Sequence, residues 1–439
     1  MLPGLAAALI RRTVFHAAKN TSFYGELYRS IDLDEWSIHA DLSELPFTNK
    51  AAIRAAGADA IDSALSYAAI QNTSGTTGKS LFLHRSQEEF DFIQEFFGEL
   101  LSRNAQSTPS PLLLALAVPS HGSATPVPTN AFVLTTSVTS ESGGARTAQY
   151  LETRFAIPYT SEYVSGISGG LWQVVALTGY LKSRAIPKPA QVSSIGVTGD
   201  HLSPSLRRWL ESYWGPGSIL NRYSLSEFFG GASQCARCGG FHFDPFLIPE
   251  IVPLGGGSSM FEGLGRLVLT GLNPFVQMQP LIRYLTDDVF ERRLGVCELP
   301  SFYHHGRIGH SLVRSVDGAQ ELLLSALAIY DAVDSQTIVF RDDHSFALAA
   351  GTPGEGKPRF AGAVTDGADS LHLDLVVAYG GKLAAEITLK VASDIRAVLL
   401  ATSPRLATMV TEGRALFSVR FAEAGSVRPG ALKRDGAVW

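Results

Sequence analysis

The chain has 439 residues, 45% hydrophobic and 18% charged, with a net charge of −5. That length fits two or three domains, commonly one large core with a small appendage, and the apolar fraction excludes a disordered chain. A slightly acidic balance offers no basic footprint for a nucleic-acid groove or an anionic membrane surface. The three cysteines, Cys235, Cys238 and Cys297, do not make a disulfide framework. The expectation is a soluble, cytoplasmic enzyme or binding protein.

In chain order, Leu5 to Ala18 fits an amphipathic surface helix. Its apolar run precedes Arg11 and Arg12, whereas a secretory signal places its positive charges first. Gln87 to Arg103 spaces Phe90, Ile93, Phe97, Leu100 and Leu101 as a helix does. Leu112 to Val118, between prolines, reads as a buried strand and is far short of the roughly 20 residues a membrane helix needs. Ser123 to Ala145, rich in Ser, Thr, Gly and Pro, reads as strand and loop. Leu171 to Leu181 reads as a helix, and Val192 to Val197 as a strand leading into Thr198-Gly199-Asp200. Ser203 as N-cap and Pro204 at the first position predict a helix to Trp214. Arg266 to Thr270 reads as another strand. Strands alternating with helices indicate an α/β architecture with a substantial parallel sheet.

A boundary is expected near Gly306-Arg307, dividing residues 1–306 from a smaller α+β unit, 307–439. In the second unit, Glu321 to Ile329 and Ser335 to Phe340 suggest new elements. A Gly/Pro-rich loop follows from Gly351 to Pro358. Leu371 to Ala378 alternates like a strand, and Ser393 to Leu400 suits a helix.

The sharpest local signal is Asn72-Thr73-Ser74-Gly75-Thr76-Thr77-Gly78-Lys79-Ser80. Two glycines let a backbone approach an anion and turn N–H groups toward it. Four hydroxyls and Lys79 add donors and positive charge. The glycine spacing is not that of the Walker-type P-loop. An ordinary polar turn is the plainer alternative.

The string resembles the phosphate loop of the adenylate-forming superfamily: acyl-CoA synthetases, luciferases and peptide-synthetase adenylation domains. The branch it most resembles is phenylacetate-CoA ligase. Upstream, Leu45-Pro46-Phe47-Thr48-Asn49-Lys50 resembles that branch's Leu-Pro-Phe-Thr-x-Lys. Downstream, Tyr223 to Glu227 resembles its Tyr-Gly-Leu-Ser-Glu, and Gly265 to Thr270 its Gly-Glu-Leu-Val-Leu-Thr. Pro280 to Asp288 resembles Pro-Leu-Ile-Arg-Tyr-Arg-Thr-Gly-Asp, and Gly306-Arg307 the Gly-Arg of the hinge. The matches come in family order.

The resemblance implies a large N-terminal adenylate-forming domain of mixed β-sheets and helices, plus a smaller α+β C-terminal domain. It implies ATP-dependent activation of a carboxylic acid, here an aryl or arylalkyl acid, as an acyl-adenylate. Coenzyme A, a carrier protein or an amine would accept the acyl group. Thr73, Ser74, Gly75, Thr76, Thr77, Gly78 and Lys79 would hold the phosphates, with Thr76 also counted as catalytic. Glu227 would bind Mg²⁺, a hard ion that favours carboxylate oxygen. Gly199, Asp200, Tyr223 and Ser226 would border the nucleotide, Asp288 would accept from the ribose hydroxyls, and Arg307 would contact the nucleotide near the hinge. An acid pocket would lie among Gly166 to Leu177, with Gly169 and Gly170 leaving room and Trp172 as an aromatic wall, Gly196 to His201 and Tyr223. His121 is a weaker lining candidate. Partners are a small-molecule acid and the acceptor, with a homodimer as a candidate assembly and neither nucleic acid nor membrane.

Cys235, Cys238 and His242 have the spacing of a zinc half-site. A redox pair or two buried thiols would show the same spacing. The branch carries Cys and His after its Tyr-Gly-Leu-Ser-Glu and a Cys-x-Cys pair before the hinge. Cys297 is what remains of that pair, Leu299 filling the second position. With it the ligand count for a structural zinc reaches four.

Two features depart from the family. After Gly306-Arg307 the chain reads Ile308-Gly309-His310, without the usual hinge acid. The C-terminal catalytic lysine is assigned to Lys433, although one alignment puts Ala437 there. These departures sustain an alternative: a catalytically weakened nucleotide- or acid-binding protein with a regulatory or scaffolding role. A reductase component is a third reading, without a dinucleotide fingerprint.

Overall fold

The computed structural model describes residues 3–73, 80–104, 109–116, 127–316, 319–336, 359–366, 370–379 and 384–423. The N-terminal arm is helical, with Pro3–Asn20, Ser22–Leu27 and Leu33–His39. Its apolar faces meet in a small core of Val14, Tyr24, Trp36 and Leu45 that Ile282 closes. The Tyr24 hydroxyl donates to the Pro280 carbonyl and accepts from the Ile282 N–H, each at 3.0 Å. A buried hydroxyl with both roles filled anchors the arm to a segment more than 250 residues away.

Strands β1 (Tyr67–Asn72) and β2 (Phe82–Ser86) pair antiparallel, and the helix Gln87–Asn104 follows. Then come β3 (Leu112–Leu116), β4 (Phe132–Thr136), β5 (Gly166–Gly170), β6 (Ser194–Thr198) and β7 (Ile219–Ser224), parallel in the spatial order β4-β3-β5-β6-β7. Six more strands follow: β8 (Gly231–Gln234), β9 (Phe241–Phe243), β10 (Leu247–Val252), β11 (Gly263–Gly271), β12 (Tyr284–Arg293) and β13 (Ser301–Arg307). They extend the same sheet antiparallel, β8-β9-β13-β12-β11-β10, to eleven strands. The parallel half needs crossover helices. One of them, Leu171–Ser183, is buried along most of its length, as its predominantly apolar sequence requires.

Within Ser123 to Ala145 the expected strand is β4 with loop on either side, but the last five residues open a helix instead. Glu141–Glu152 is a helix, capped by the Ser140 hydroxyl accepting from the Gly143 N–H at 3.1 Å. Gly143 and Gly144 each lower helix propensity by about 1 kcal/mol and so read as loop. In the fold, a Cβ on Gly144 would lie 2.6 Å from the Tyr180 ring. Close approach of two helices overrides propensity here.

After Arg307 the chain forms the hairpin β14 (Leu312–Val316) and β15 (Ala319–Leu324), then the helix Ala326–Asp334. A second sheet joins β16 (Arg359–Asp366) to β17 (Leu371–Tyr379) antiparallel, and β17 to β18 (Ala415–Glu423) parallel. The helices Ala385–Thr402 and Pro404–Thr411 supply the crossover. The expected strand at Leu371 and helix at Ser393 are there. Residues 337–340 and the Gly351 to Pro358 loop lie outside the described residues.

The helix Ala326–Asp334 docks on the helix Pro204–Trp214. Asp331 accepts from the Ser205 N–H at 2.7 Å, and Asp334 from the Ser203 hydroxyl at 2.6 Å. Carboxylates at a helix N-terminus satisfy free N–H groups and complement the dipole. Leu312, Ile329, Phe360 and Ile395 belong to the same apolar cluster as Leu114, Val175 and Trp214. Among the described residues, no helix is long and apolar enough to cross a membrane.

Candidate active site

Two sequence segments far apart in the chain fold against each other. Thr48 donates its N–H to Arg283 (3.0 Å) and its hydroxyl to Ile282 (2.8 Å), and its carbonyl accepts from the Leu285 N–H (2.8 Å). Arg283, at φ +45, is buried and donates to the Ser43 and Leu45 carbonyls. Glu250 neutralises it at 3.1 Å, and its guanidinium lies 4.1 Å over the Phe47 ring. The arginine of Pro280 to Asp288 thus clamps the Leu45 to Lys50 segment. That clamp places half-buried Lys50, at the start of the helix Lys50–Ala56, within reach of the charges of Glu227, Arg307 and Asp287. Burial lowers the Lys50 pKa, with the Glu227 charge opposing it.

Gly199 and Asp200 follow the C-terminal end of β6, and Tyr223 is near the end of β7. There the sheet changes from parallel to antiparallel. Crevices at such switch points are where open α/β sheets bind ligands. Gly199 has φ +85, a conformation that favours glycine. Asp200 accepts from the His201 N–H (2.7 Å) and from the Trp172 indole. Trp172, expected as an aromatic wall, is buried with its N–H turned to that carboxylate.

Asp288 on β12 is buried among a phenol, an arginine and a histidine. The Tyr223 hydroxyl donates to it at 2.8 Å, Arg307 Nε lies 3.6 Å away, and His304 Nε2 lies 3.9 Å away. Burial alone would raise its pKa. His304, Arg307 and Tyr223 outweigh burial and hold the carboxyl well below its ordinary range. Burial, reinforced by the Asp288 charge, pushes the Tyr223 phenol far up, so it stays a donor.

Gly199, Asp200, Tyr223, Asp288 and Arg307 line one cavity of about 270 Å³, together with His201, His304, His305 and His310. Of these histidines the sequence reading placed only His201 at a site, as the end of the Gly196 to His201 stretch of the acid pocket. The His304-His305 doublet directly before Gly306-Arg307 was the available signal. The His201 ring stacks on Tyr330 (5.4 Å) and meets His304 (4.7 Å). Burial holds His201 well below the ordinary histidine range, and burial with Arg307 brings His310 to about 4. Both are neutral at neutral pH.

Glu227 is also buried. Its Oε1 accepts from the Tyr284 hydroxyl at 3.0 Å, and Arg85 donates to its backbone carbonyl at 2.7 Å and to that of Ser226 at 3.1 Å. Thr73 closes the base of the phosphate-loop segment. Its N–H donates to the Leu81 carbonyl (3.0 Å), and its hydroxyl accepts from the Leu81 N–H (2.9 Å). Ser74, Gly75, Thr76, Thr77, Gly78 and Lys79 lie outside the described residues, as do His121 and Lys433.

The loop after β8, the strand β9 and the loop before β13 bring Cys235, Cys238, His242 and Cys297 together. One ligand atom from each lies within 4.8 Å of all the others. Tetrahedral zinc with sulfur ligands at about 2.3 Å spaces them roughly 3.7 Å apart, and Cys238 Sγ is 3.6 Å from His242 Nε2. His242 Nδ1 faces the Pro300 carbonyl at 3.1 Å, which fixes the tautomer that leaves Nε2 for a metal. The N–H groups of Cys238 and Arg237 draw the Cys235 thiol down to about 6, toward the thiolate a metal requires. This donor set fits zinc.

No family model and no curated protein matches the sequence. Solved structures do match in shape. A 2-hydroxyisobutyryl-CoA ligase in a postadenylation state, bound to an acyl-AMP, superimposes with a TM-score of 0.69 at 14% identity, covering 98% of this chain and 88% of that one. The same ligase in a thioesterification state, with 2-HIB-AMP and CoA, gives 0.57 at 14% identity, over 97% and 87%. A benzoate CoA ligase from Burkholderia xenovorans LB400 gives 0.51 at 11% identity, over 84% and 67%. The chain has the fold of the adenylate-forming acid ligases, with a large N-terminal part and a smaller C-terminal part.

Proposed function

We propose that this protein activates a carboxylic acid with ATP as an acyl-adenylate and passes the acyl group to coenzyme A, a carrier protein or an amine. The observation that carries the reading is the convergence of Asp200, Tyr223, Asp288 and Arg307 on one cavity at the sheet's switch point. Tyr223, Asp288 and Arg307 come from segments resembling the phenylacetate-CoA ligase-like branch, and we assign the chain to that branch. An aryl or arylalkyl acid and a role in specialised metabolism belong to the same proposal. So do the division at residue 306/307 and the roles of the loop from Ser74 to Lys79 and of Lys433.

In this reading Asp288 is kept ionised so that it can accept from the ribose hydroxyls, which then share it with the Tyr223 O–H. Arg307 supplies positive charge beside the nucleotide. Glu227, oriented by Tyr284, holds Mg²⁺, which when bound offsets the charge of the triphosphate. Lys50 adds a second positive charge at that end. The acceleration is electrostatic, because fixed charges facing the phosphates need no reorganisation as the acid attacks. Acid-dependent exchange of labelled pyrophosphate into ATP tests the reading across a panel of aryl, alkyl and amino acids. Exchange with one acid supports it. ATP binding without exchange for any acid favours the alternative, a nucleotide-binding protein, which the missing hinge acid at Gly309-His310 motivates.

We also propose that Cys235, Cys238, His242 and Cys297 hold one structural zinc, pinning the loop after β8 to the segment that enters β13. Purified protein is expected to contain one zinc per chain by elemental analysis, and Cys238→Ser to contain almost none. Wild-type protein purified without zinc, and unchanged in stability by added chelator, would sink this part.

A further inference from the structure

Arg85 is a buried cation that the assignment above does not use. It lies on β2, the strand that leaves the phosphate-loop segment, and it is 1% exposed. A buried guanidinium costs several kcal/mol unless its charge is compensated and its donors are bonded. Its hydrogen bonds go to two backbone carbonyls, those of Ser226 (3.1 Å) and Glu227 (2.7 Å). Its flat face lies 4.6 Å from the centre of the Phe229 ring. The negative charges acting on it are those of Glu89 and Glu227. Glu89 is itself fixed, accepting from the Ser86 N–H (2.6 Å) and the Gln277 N–H (2.7 Å).

Holding a peptide segment in place does not need a charge, since a neutral amide can donate to a carbonyl with less desolvation. What a cation adds is a positive field at Glu227. Arg85 therefore acts on Glu227 twice: its hydrogen bond fixes the backbone, and its charge lies within electrostatic reach of the carboxylate. The Tyr284 hydroxyl fixes the same residue from the side-chain end. We propose that Arg85 is a positioning residue for the cation-binding carboxylate Glu227. It ties the strand leaving the phosphate loop to the metal end of the site, so that triphosphate and divalent cation are bound together. This rests on the nucleotide reading above.

The test is ATP affinity by calorimetry on full-length protein, with magnesium and with EDTA, for wild type, Arg85→Lys and Arg85→Met. Loss of a partner that orients a metal ligand typically weakens metal binding by about 10- to 100-fold. Arg85→Met is expected to lose about that much magnesium-dependent affinity, while ATP affinity in EDTA stays within about twofold. Arg85→Lys is expected to recover part of it, and Mn²⁺ bound to the enzyme–ATP complex, read by electron paramagnetic resonance, should follow the same order. If Arg85→Met does not fold, the neutral pair Arg85→Met/Glu89→Gln carries the test. Equal losses with and without magnesium, or none in either, overturn the proposal alone. Wild-type protein that binds no ATP overturns the nucleotide reading as well.

Discussion

Glu227 and Asp288 are both buried carboxylates, yet their surroundings suit them to different tasks. Asp288 has Arg307 and His304 beside it and a phenol donating to it, so its charge is matched within the protein. Glu227 receives one hydroxyl on its side chain, while Arg85 bonds its backbone instead. A matched carboxylate can accept hydrogen bonds without attracting a metal. A carboxylate with less compensation suits a cation. Burial is common to both, so the distribution of cations around them makes the difference.

The largest expected effect comes from removing the charge that is matched. Asp288→Asn leaves partly buried Arg307 without its counter-charge, with a cost approaching the roughly 3 kcal/mol of breaking a buried pair. Denaturant unfolding at neutral pH measures it. The depressed pKa of Asp288 means that its contribution is present above the ordinary aspartate range and is lost as pH falls through the lower folded value. Wild type should therefore lose stability in acid that the variant never had. A variant as stable as wild type would erase the contrast between the two carboxylates.

The next effect concerns function more than folding. Glu227→Gln keeps the volume and an oxygen for the Tyr284 hydroxyl but removes the charge. If Glu227 holds the cation, pyrophosphate exchange should fall by about 10²- to 10³-fold, the scale of losing one preorganised electrostatic group. Stability should change much less than in Asp288→Asn. A large stability loss with exchange intact would reverse the two roles.

The smallest effect is a pH dependence at the Asp288 end. His310 has a folded pKa of about 4, lowered by burial and by Arg307. Between that value and the ordinary histidine range the unfolded chain binds the proton and the folded chain does not. Stability should therefore rise with pH across this window, and the His310 share is lost as pH falls from about 6.5 toward 4. Denaturant titrations of wild type and His310→Asn at pH 7 and pH 4.5 isolate that share. Equal pH slopes in the two proteins would show that His310 does not sense the cations of the cleft.

Much of this architecture was legible before folding. The periodicity of Gln87 to Arg103, the Ser203-Pro204 cap and the apolar run at Leu112 each report local physics, and each element formed where expected. Gly143 and Gly144 misled, because a glycine pair reads as loop unless the Tyr180 ring that excludes a side chain is known. The clustering of the cavity histidines was illegible for a related reason. His201 is separated by about a hundred residues from His304, and nothing in local spacing says that their rings meet.

The sequence by itself nominated the residues for chemistry: the carboxylates Asp288 and Glu227, the cation Arg307, and the thiols of a four-ligand set. Residue type and short spacing encode donor, acceptor and charge, and these survive without a fold. Tertiary structure alone decided how each group is compensated. It set Arg307 and His304 beside Asp288, aimed Arg85 at the Glu227 backbone, and brought Cys297 to Cys235, Cys238 and His242. Compensation depends on distance and burial, and both are set by strand order in an eleven-stranded sheet rather than by position along the chain.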